Sequence, residues 1–217
     1  MIESMLVKRK VQVQSPYLVD INFERATVGD QFVIDRGNLA LPMPRGVWNG
    51  NGGDGVVDDP TLGKCYYFNG NVRFGDALNA IPLAGTNFEI VVKFRDALGN
   101  TAAVFATGDY PNTAGIKAGR ELIINQTSDN YIQLFSTDQF GTYQRQYVGG
   151  VNVLANEEIT ITSLVGGNTT LFSKRTGKSS ILPTFNTGKD SYLLLGTTHA
   201  LANAFKGYLK SLTIRAL

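Results

Sequence analysis

The octapeptide Phe88-Glu-Ile-Val-Val-Lys-Phe-Arg95 alternates: Phe88, Ile90, Val92 and Phe94 fall on one side of an extended chain, and Glu89, Lys93 and Arg95 fall on the other, around Val91. Successive side chains of a strand point to opposite faces, so this segment buries one face and wets the other as a β-strand. Similar runs rich in Val, Ile, Phe, Tyr and Thr recur along the chain, each bounded by Gly, Asn, Asp or Pro. They lie at 18–24, 64–74 (turning at Asn69-Gly70), 101–108, 119–126, 131–137, 142–149, 157–165, 169–175 and 191–197, and from Phe205 onward. Gly166-Gly167-Asn168 and Ser128-Asp129-Asn130 stand between consecutive runs as hairpin turns. Almost nothing carries a helical period. The pattern predicts an all-β fold of ten or more antiparallel strands on short loops, arranged as a two-sheet sandwich.

A chain of 217 residues, 43% hydrophobic and 18% charged, suits a single large β domain. No linker and no internal repeat divides it. Residues 1–17, with Lys8-Arg9-Lys10 set among Val7, Val11 and Val13, read as an N-terminal arm or edge strand, and residues 18–217 as one domain. The longest stretch without a strand pattern, about 37–63, is where a site is expected. Twenty basic and eighteen acidic residues leave a net charge of +2 spread along the chain, which provides no footprint for nucleic acid. No apolar run approaches the roughly 20 residues that cross a bilayer. The N-terminus lacks the apolar core of a secretion signal, and Cys65 is the single cysteine, so the expectation is a protein made in a reducing cytoplasm.

Several chemical motifs are present only in form. Gly50 to Gly55 fits GxGxxG, but no βαβ unit surrounds it, and Gly177-Lys178-Ser179 lacks the upstream glycine of a P-loop. His199 is the only histidine, and no GxSxG elbow accompanies it. A retaining glycosidase needs two carboxylates about 5–5.5 Å apart, met by alternate residues of one strand. Glu89 and Glu121 are isolated, whereas Glu157 and Glu158 are adjacent and so face opposite ways. The chain is therefore expected not to be an enzyme, with glycoside hydrolysis the remote alternative.

What remains is the loop Asn49-Gly-Asn-Gly-Gly-Asp-Gly-Val-Val-Asp-Asp59. Asp54, Asp58 and Asp59 offer the oxygen ligands that calcium prefers, so they form a candidate metal site, although tight turns recruit the same residue types. Trp48, with Asn49 and Asn51, forms a candidate ligand-binding set: the indole either stacks on a sugar ring or is buried as an anchor. No other cofactor is expected.

In the last run, Phe205, Gly207 and Leu209 share one parity, and Leu212, Ile214 and Ala216 share the other. The slip at Lys210-Ser211 predicts a β-bulge in a strand that pairs beside 18–24 and, by changing face, serves both sheets. The order of Cys65–Gly75, Phe88–Arg95, Thr101–Gly108, the run from Ile159, and the Phe205 segment resembles the concanavalin A-like, laminin G-like jelly rolls. Phe68-Asn69-Gly70, Leu193 to Gly196 and Phe205-Lys-Gly-Tyr-Leu209 match that family's structural motifs across roughly 18–217. The resemblance implies a binding or structural module. A stand-alone member of this kind looks like the virion proteins of tailed bacteriophages, in tail, baseplate, fibre or capsid decoration. It implies a virion location after synthesis in the host cytoplasm, other virion chains as partners, a homo-oligomer or larger assembly, and attachment to a bacterial surface glycan. A soluble lectin-like carbohydrate-binding module is the alternative.

Overall fold

Buried and more exposed residues alternate along 88–95, 157–163 and 168–173. The computed structural model describes residues 15–47, 52–75, 80–83, 85–96, 102–108, 119–125, 131–137, 143–148, 155–183, 191–197 and 204–217. The strands are β1 (Val19–Asn22), β2 (Arg45–Val47), β3 (Gly55–Asp59), β4 (Gly63–Asn69), β5 (Val72–Phe74) and β6 (Ala80–Ile81). The middle of the chain forms β7 (Phe88–Asp96), β8 (Ala102–Gly108), β9 (Gly119–Asn125), β10 (Tyr131–Thr137) and β11 (Tyr143–Val148). Then come β12 (Glu157–Ser163), β13 (Asn168–Ser173), β14 (Ser179–Pro183), β15 (Ser191–Leu195) and β16 (Lys206–Ala216). They make two antiparallel eight-stranded sheets. One runs β14-β13-β12-β7-β16-β4-β3 with β1 also paired to β16, and the other runs β11-β10-β9-β8-β15-β5-β2 with β6 also paired to β15. The molecule is an all-β, two-sheet sandwich. Among the described residues no helix is long and apolar enough to cross a membrane.

The core lies between the sheets. Phe88, Ile90, Val92 and Phe94 of β7 are buried, as are Ile159 and Ile161 of β12 and Leu193 and Leu195 of β15. Rings fill the middle: Tyr66 meets Phe74 edge-on at 5.1 Å, and Phe68 contacts Phe74 at 5.9 Å and Phe205 at 5.7 Å. Because Phe74 belongs to the second sheet and Tyr66 and Phe68 to the first, these contacts hold the layers together. Gly196 allows this closeness: its φ is +77°, and a Cβ there would stand 2.7 Å from two ring carbons of Phe68. The Phe205 amide donates to the Gly196 carbonyl at 2.9 Å. The three motifs quoted from the sequence thus converge on one cluster.

The register of β16 against β7 shifts between Leu209 and Ser211, as the parity slip predicts, and β1 lies beside β16 with Ile21 opposite Leu212. The consequence differs from the expectation. Among the described residues β16 pairs only with β1, β4 and β7, all in the first sheet. The extra residue restores the core-facing parity, so that Leu209, Leu212 and Ile214 are all fully buried. Two more expectations change. Asn69-Gly70 joins β4 to β5 across the two sheets, rather than turning within one. The segment 37–63 contains β2 and β3, whose short runs the glycines around them obscure. The arm at 1–14 lies outside the described residues, as do Ser128-Asp129-Asn130 and His199.

Deleting Lys210 should turn Leu212 and Ile214 to solvent at a cost of about 1.5–3 kcal/mol each. Lys210→Ala keeps the residue count and should change stability by no more than about 1 kcal/mol. Urea unfolding of the two variants checks this, the deletion being expected to lose most of its cooperative transition.

Candidate functional site

The outward-facing residues of the first sheet build a trough of about 400 Å³. Its floor is short: Val91 of β7 with Ser211 and Thr213 of β16. The walls are long and polar. Glu89 pairs with Arg215 at 2.8 Å at one end, and Lys93 pairs with Glu158 at 3.2 Å at the other. Tyr17, Asp20 and Asn22 close the side formed by β1. Strand register dictates this grouping, since Asp20 lies opposite Thr213, Thr213 opposite Val91, and Ser211 opposite Lys93. Long charged pairs flanking short residues leave a depression with donors and acceptors along both walls and an apolar strip at its base.

Beyond Glu158 the trough meets a second cavity of about 240 Å³, which Lys93 and Glu158 also line. Glu158 accepts from Lys174 at 3.1 and 3.2 Å as well as pairing with Lys93. Burial alone would raise its carboxyl, but the two ammonium groups outweigh that and hold it below the ordinary range. Its neighbour Glu157 points the other way. Its side chain is fully buried against Arg175 and Ser173, and burial keeps its carboxyl raised despite them. The Lys210 ammonium donates to the Leu62 carbonyl at 2.7 Å and stands 3.6 Å from Glu24.

Further along the same face, Arg95 donates to Asp59 and, at 2.6 Å, to the Thr61 hydroxyl, and its guanidinium lies 4.6 Å above the Tyr208 ring. Tyr208 in turn packs on Tyr67 at 5.1 Å. Burial would raise the Asp59 carboxyl, but the Leu62 and Thr61 amides, the Thr61 hydroxyl and Arg95 bring it down to about 2. Cys65 sits beneath this group. It alternates with core-facing Tyr66, yet is fully buried, with Sγ 4.0 Å from the Val57 carbonyl. Burial, and then the Asp59 charge, push its thiol up to about 11 against the pull of Arg95 and Lys210.

The aspartates proposed from sequence as metal ligands do not converge. Asp54 takes a two-pronged pair from Arg45, at 2.6 and 3.0 Å, and a 2.5 Å hydrogen bond from the Tyr66 hydroxyl, with its side chain fully buried. Burial opposes its charge, but these bonds win and hold its carboxyl below the usual value, while Tyr66 is driven up by burial first and by Asp54 second. Asp59 is held by Arg95, and Asp58 is exposed on the opposite face of β3. Among the described residues no three His, Cys, Asp or Glu side chains group so as to hold a metal ion. Trp48, Asn49 and Asn51 lie outside the described residues. The trough residues went unnoticed in the sequence. The available signal was the outward parity of β7 and β16, which mixes paired charges with Val, Ser and Thr.

No protein-family model and no curated protein sequence matches the chain. Solved structures share its fold. Domain 4 of AbnA, a GH43 extracellular arabinanase from Geobacillus stearothermophilus solved in complex with arabinotriose, superposes with a TM-score of 0.61 at 17% identity, over 93% of each chain. The binding domain of botulinum neurotoxin serotype G matches with a TM-score of 0.58 at 13% identity, over 93% of this chain and 48% of that one. Full-length tailspike protein 2 of an Escherichia coli O157:H7 bacteriophage matches with a TM-score of 0.56 at 12% identity, over 80% of this chain and 25% of the tailspike. The chain spans about half of the toxin binding domain and a quarter of the tailspike. At these identities the likeness establishes the fold, a jelly-roll-like β-sandwich.

Asp59 gives this face a measurable pH dependence. Its folded carboxyl titrates at about 2 against an ordinary 3.8, so its contribution is complete above the ordinary value and is lost as pH falls through 2. Asp59→Asn should cost about 3 kcal/mol at neutral pH, and the gap to the unmodified protein should close between pH 4 and 2. Urea midpoints measured at intervals over that range check both the sign and the window.

Proposed function

We propose that this chain is a non-enzymatic saccharide-binding domain of a tailed-bacteriophage virion, which attaches to a bacterial surface glycan through the outer face of its first sheet. The observation that carries the proposal is the trough of about 400 Å³ with a short floor between two ion-paired walls. A saccharide presents hydroxyl groups that both donate and accept, together with apolar C–H faces. Carboxylates fixed by cations accept from the hydroxyls, the cations donate to them, and Val91 and Tyr17 offer apolar surface to the ring faces.

The comparisons support this reading. The AbnA domain that matches along 93% of both chains was solved with arabinotriose, and a phage tailspike carries the same fold. Two of the carboxylates at the trough also support a binding rather than a catalytic role. Glu89 is paired with Arg215, and Glu158, held below the ordinary range by Lys174 and Lys93, lacks the proton that a general acid must deliver. Glu157, whose carboxyl is raised, is engaged by Arg175 and Ser173 at the wall of the adjoining cavity. Assembly with other virion chains draws support from the hollow lined by Phe32 and Ile34, which are 52% and 47% exposed. Apolar side chains of this size clustered in solvent mark contact surfaces on many proteins.

Two measurements test the proposal. On an array of bacterial surface polysaccharides the protein should bind at least one member, and Thr213→Trp, which fills the floor, should weaken that binding at least tenfold, about 1.4 kcal/mol, while leaving the thermal midpoint nearly unchanged. Binding that tolerates Thr213→Trp would remove the trough from the proposal. Mass spectrometry of purified phage particles should find the chain, and its absence from them would rule out the virion assignment.

A further inference from the structure

We infer that the saccharide bound in the trough carries an oxyanion, carboxylate or phosphate, and that this group sits in the adjoining cavity beside the β13–β14 turn. The inference rests on the saccharide-binding reading above and specifies its ligand class. In that second cavity four cations, Lys93, Lys174, Arg175 and Lys210, face only two carboxylates, Glu157 and Glu158. Glu157 is spent on Arg175 at the buried wall. Three ammonium groups are then left in the cavity: Lys93 and Lys174 pair with Glu158, and Lys210 stands 3.6 Å from Glu24, which does not line it. Each ammonium carries three donors, and the bonds to Glu158 and to the Leu62 carbonyl leave donors of Lys93, Lys174 and Lys210 to spare.

The trough has the opposite balance. Asp20, Glu89 and Glu158 outnumber Lys93 and Arg215 along it. A concave wall focuses such differences, so an anionic substituent is repelled from the trough and drawn into the cavity at its end. The two cavities share Lys93 and Glu158, so one oligosaccharide can lie over both. The charge gradient then fixes its direction: hydroxyl-rich sugars lie over Val91 and Thr213, and the acidic substituent lies against Lys174 and Lys210. Lys174, 65% exposed at the rim, is placed to be met first by an approaching anion.

The test uses an array of bacterial polysaccharide fragments in matched pairs. Uronic-acid fragments are printed beside their carboxyl-reduced forms, and phosphorylated fragments beside their dephosphorylated forms. The acidic member of at least one pair should bind tenfold or more tightly than its neutral form, and the arm that responds identifies carboxylate or phosphate. Lys174→Gln should bring the acidic-to-neutral ratio of that pair toward one, and raising sodium chloride from 50 to 500 mM should weaken the acidic member alone. If neutral and acidic members bind equally, the inference falls and the saccharide-binding reading stands. A preference for acid that survives both Lys174→Gln and Lys93→Gln would overturn the placement in this cavity. If no fragment of any kind binds, the reading and the inference fall together. Circular dichroism and thermal midpoints of both variants confirm that any loss arises in a folded protein.

Discussion

One strand, Lys206–Ala216, pairs with three others, and its single extra residue governs both faces of the sheet it joins. On the inner face the bulge returns Leu212 and Ile214 to the core beside Leu209. On the outer face it sets Ser211 opposite Lys93 and Thr213 opposite Val91, so that short side chains lie between two ion pairs. An unbroken two-residue alternation through Lys210 would have buried the second half of the strand the wrong way round. The trough and the core therefore have a common origin in one local irregularity, and a change in register would cost both at once.

Around this strand, loops are fixed by buried carboxylates as well as by buried apolar side chains such as Val33, Leu41 and Met43. Asp35 accepts from the amides of Asp20, Gly37 and Leu41 at 2.7–2.9 Å, and so fastens the segment after the 3-10 turn at Phe23–Arg25 onto β1. Asp54 ties Arg45 of the second sheet to Tyr66 of the first, and Asp59 ties the β3–β4 turn to β7. A buried ion pair contributes little net stability over an apolar contact, but losing one partner strands the other at high cost. Such pairs are demanding about geometry, and here they hold β2 and β3 in register where each strand is too short to hold itself.

The strands and the sandwich were legible in the sequence because alternation is a local property. Phe88–Arg95 announces its buried face without help from any other segment, and the slip at Lys210-Ser211 is visible as a parity change within thirteen residues. Which sheet a strand joins is not local: nothing in Asn69-Gly70 distinguishes a hairpin from a crossing between layers, and nothing in the final run says that both halves stay in one sheet. The surroundings of the acidic loop were hidden for a related reason. Asp54, Asp58 and Asp59 are close in sequence, but Asp59 pairs with Arg95 of β7, far along the chain, and the Tyr66 hydroxyl reaches Asp54 only through the folded core. The trough was illegible because it draws one to three residues from each of four strands, and only their pairing brings Asp20, Glu89, Glu158 and Thr213 together.

Cys65 carries a consequence for where such a domain can work. A thiol reacts as its thiolate, and burial beside Asp59 leaves almost none of that form at neutral pH, with no surface through which an oxidant or a second thiol could approach. Because no cross-link contributes to the fold, reduction has nothing to break, and because the thiol is sealed, oxidation has nothing to attack. The same set of contacts holds the domain in glutathione and in air, so the redox state of its surroundings does not act on it through Cys65.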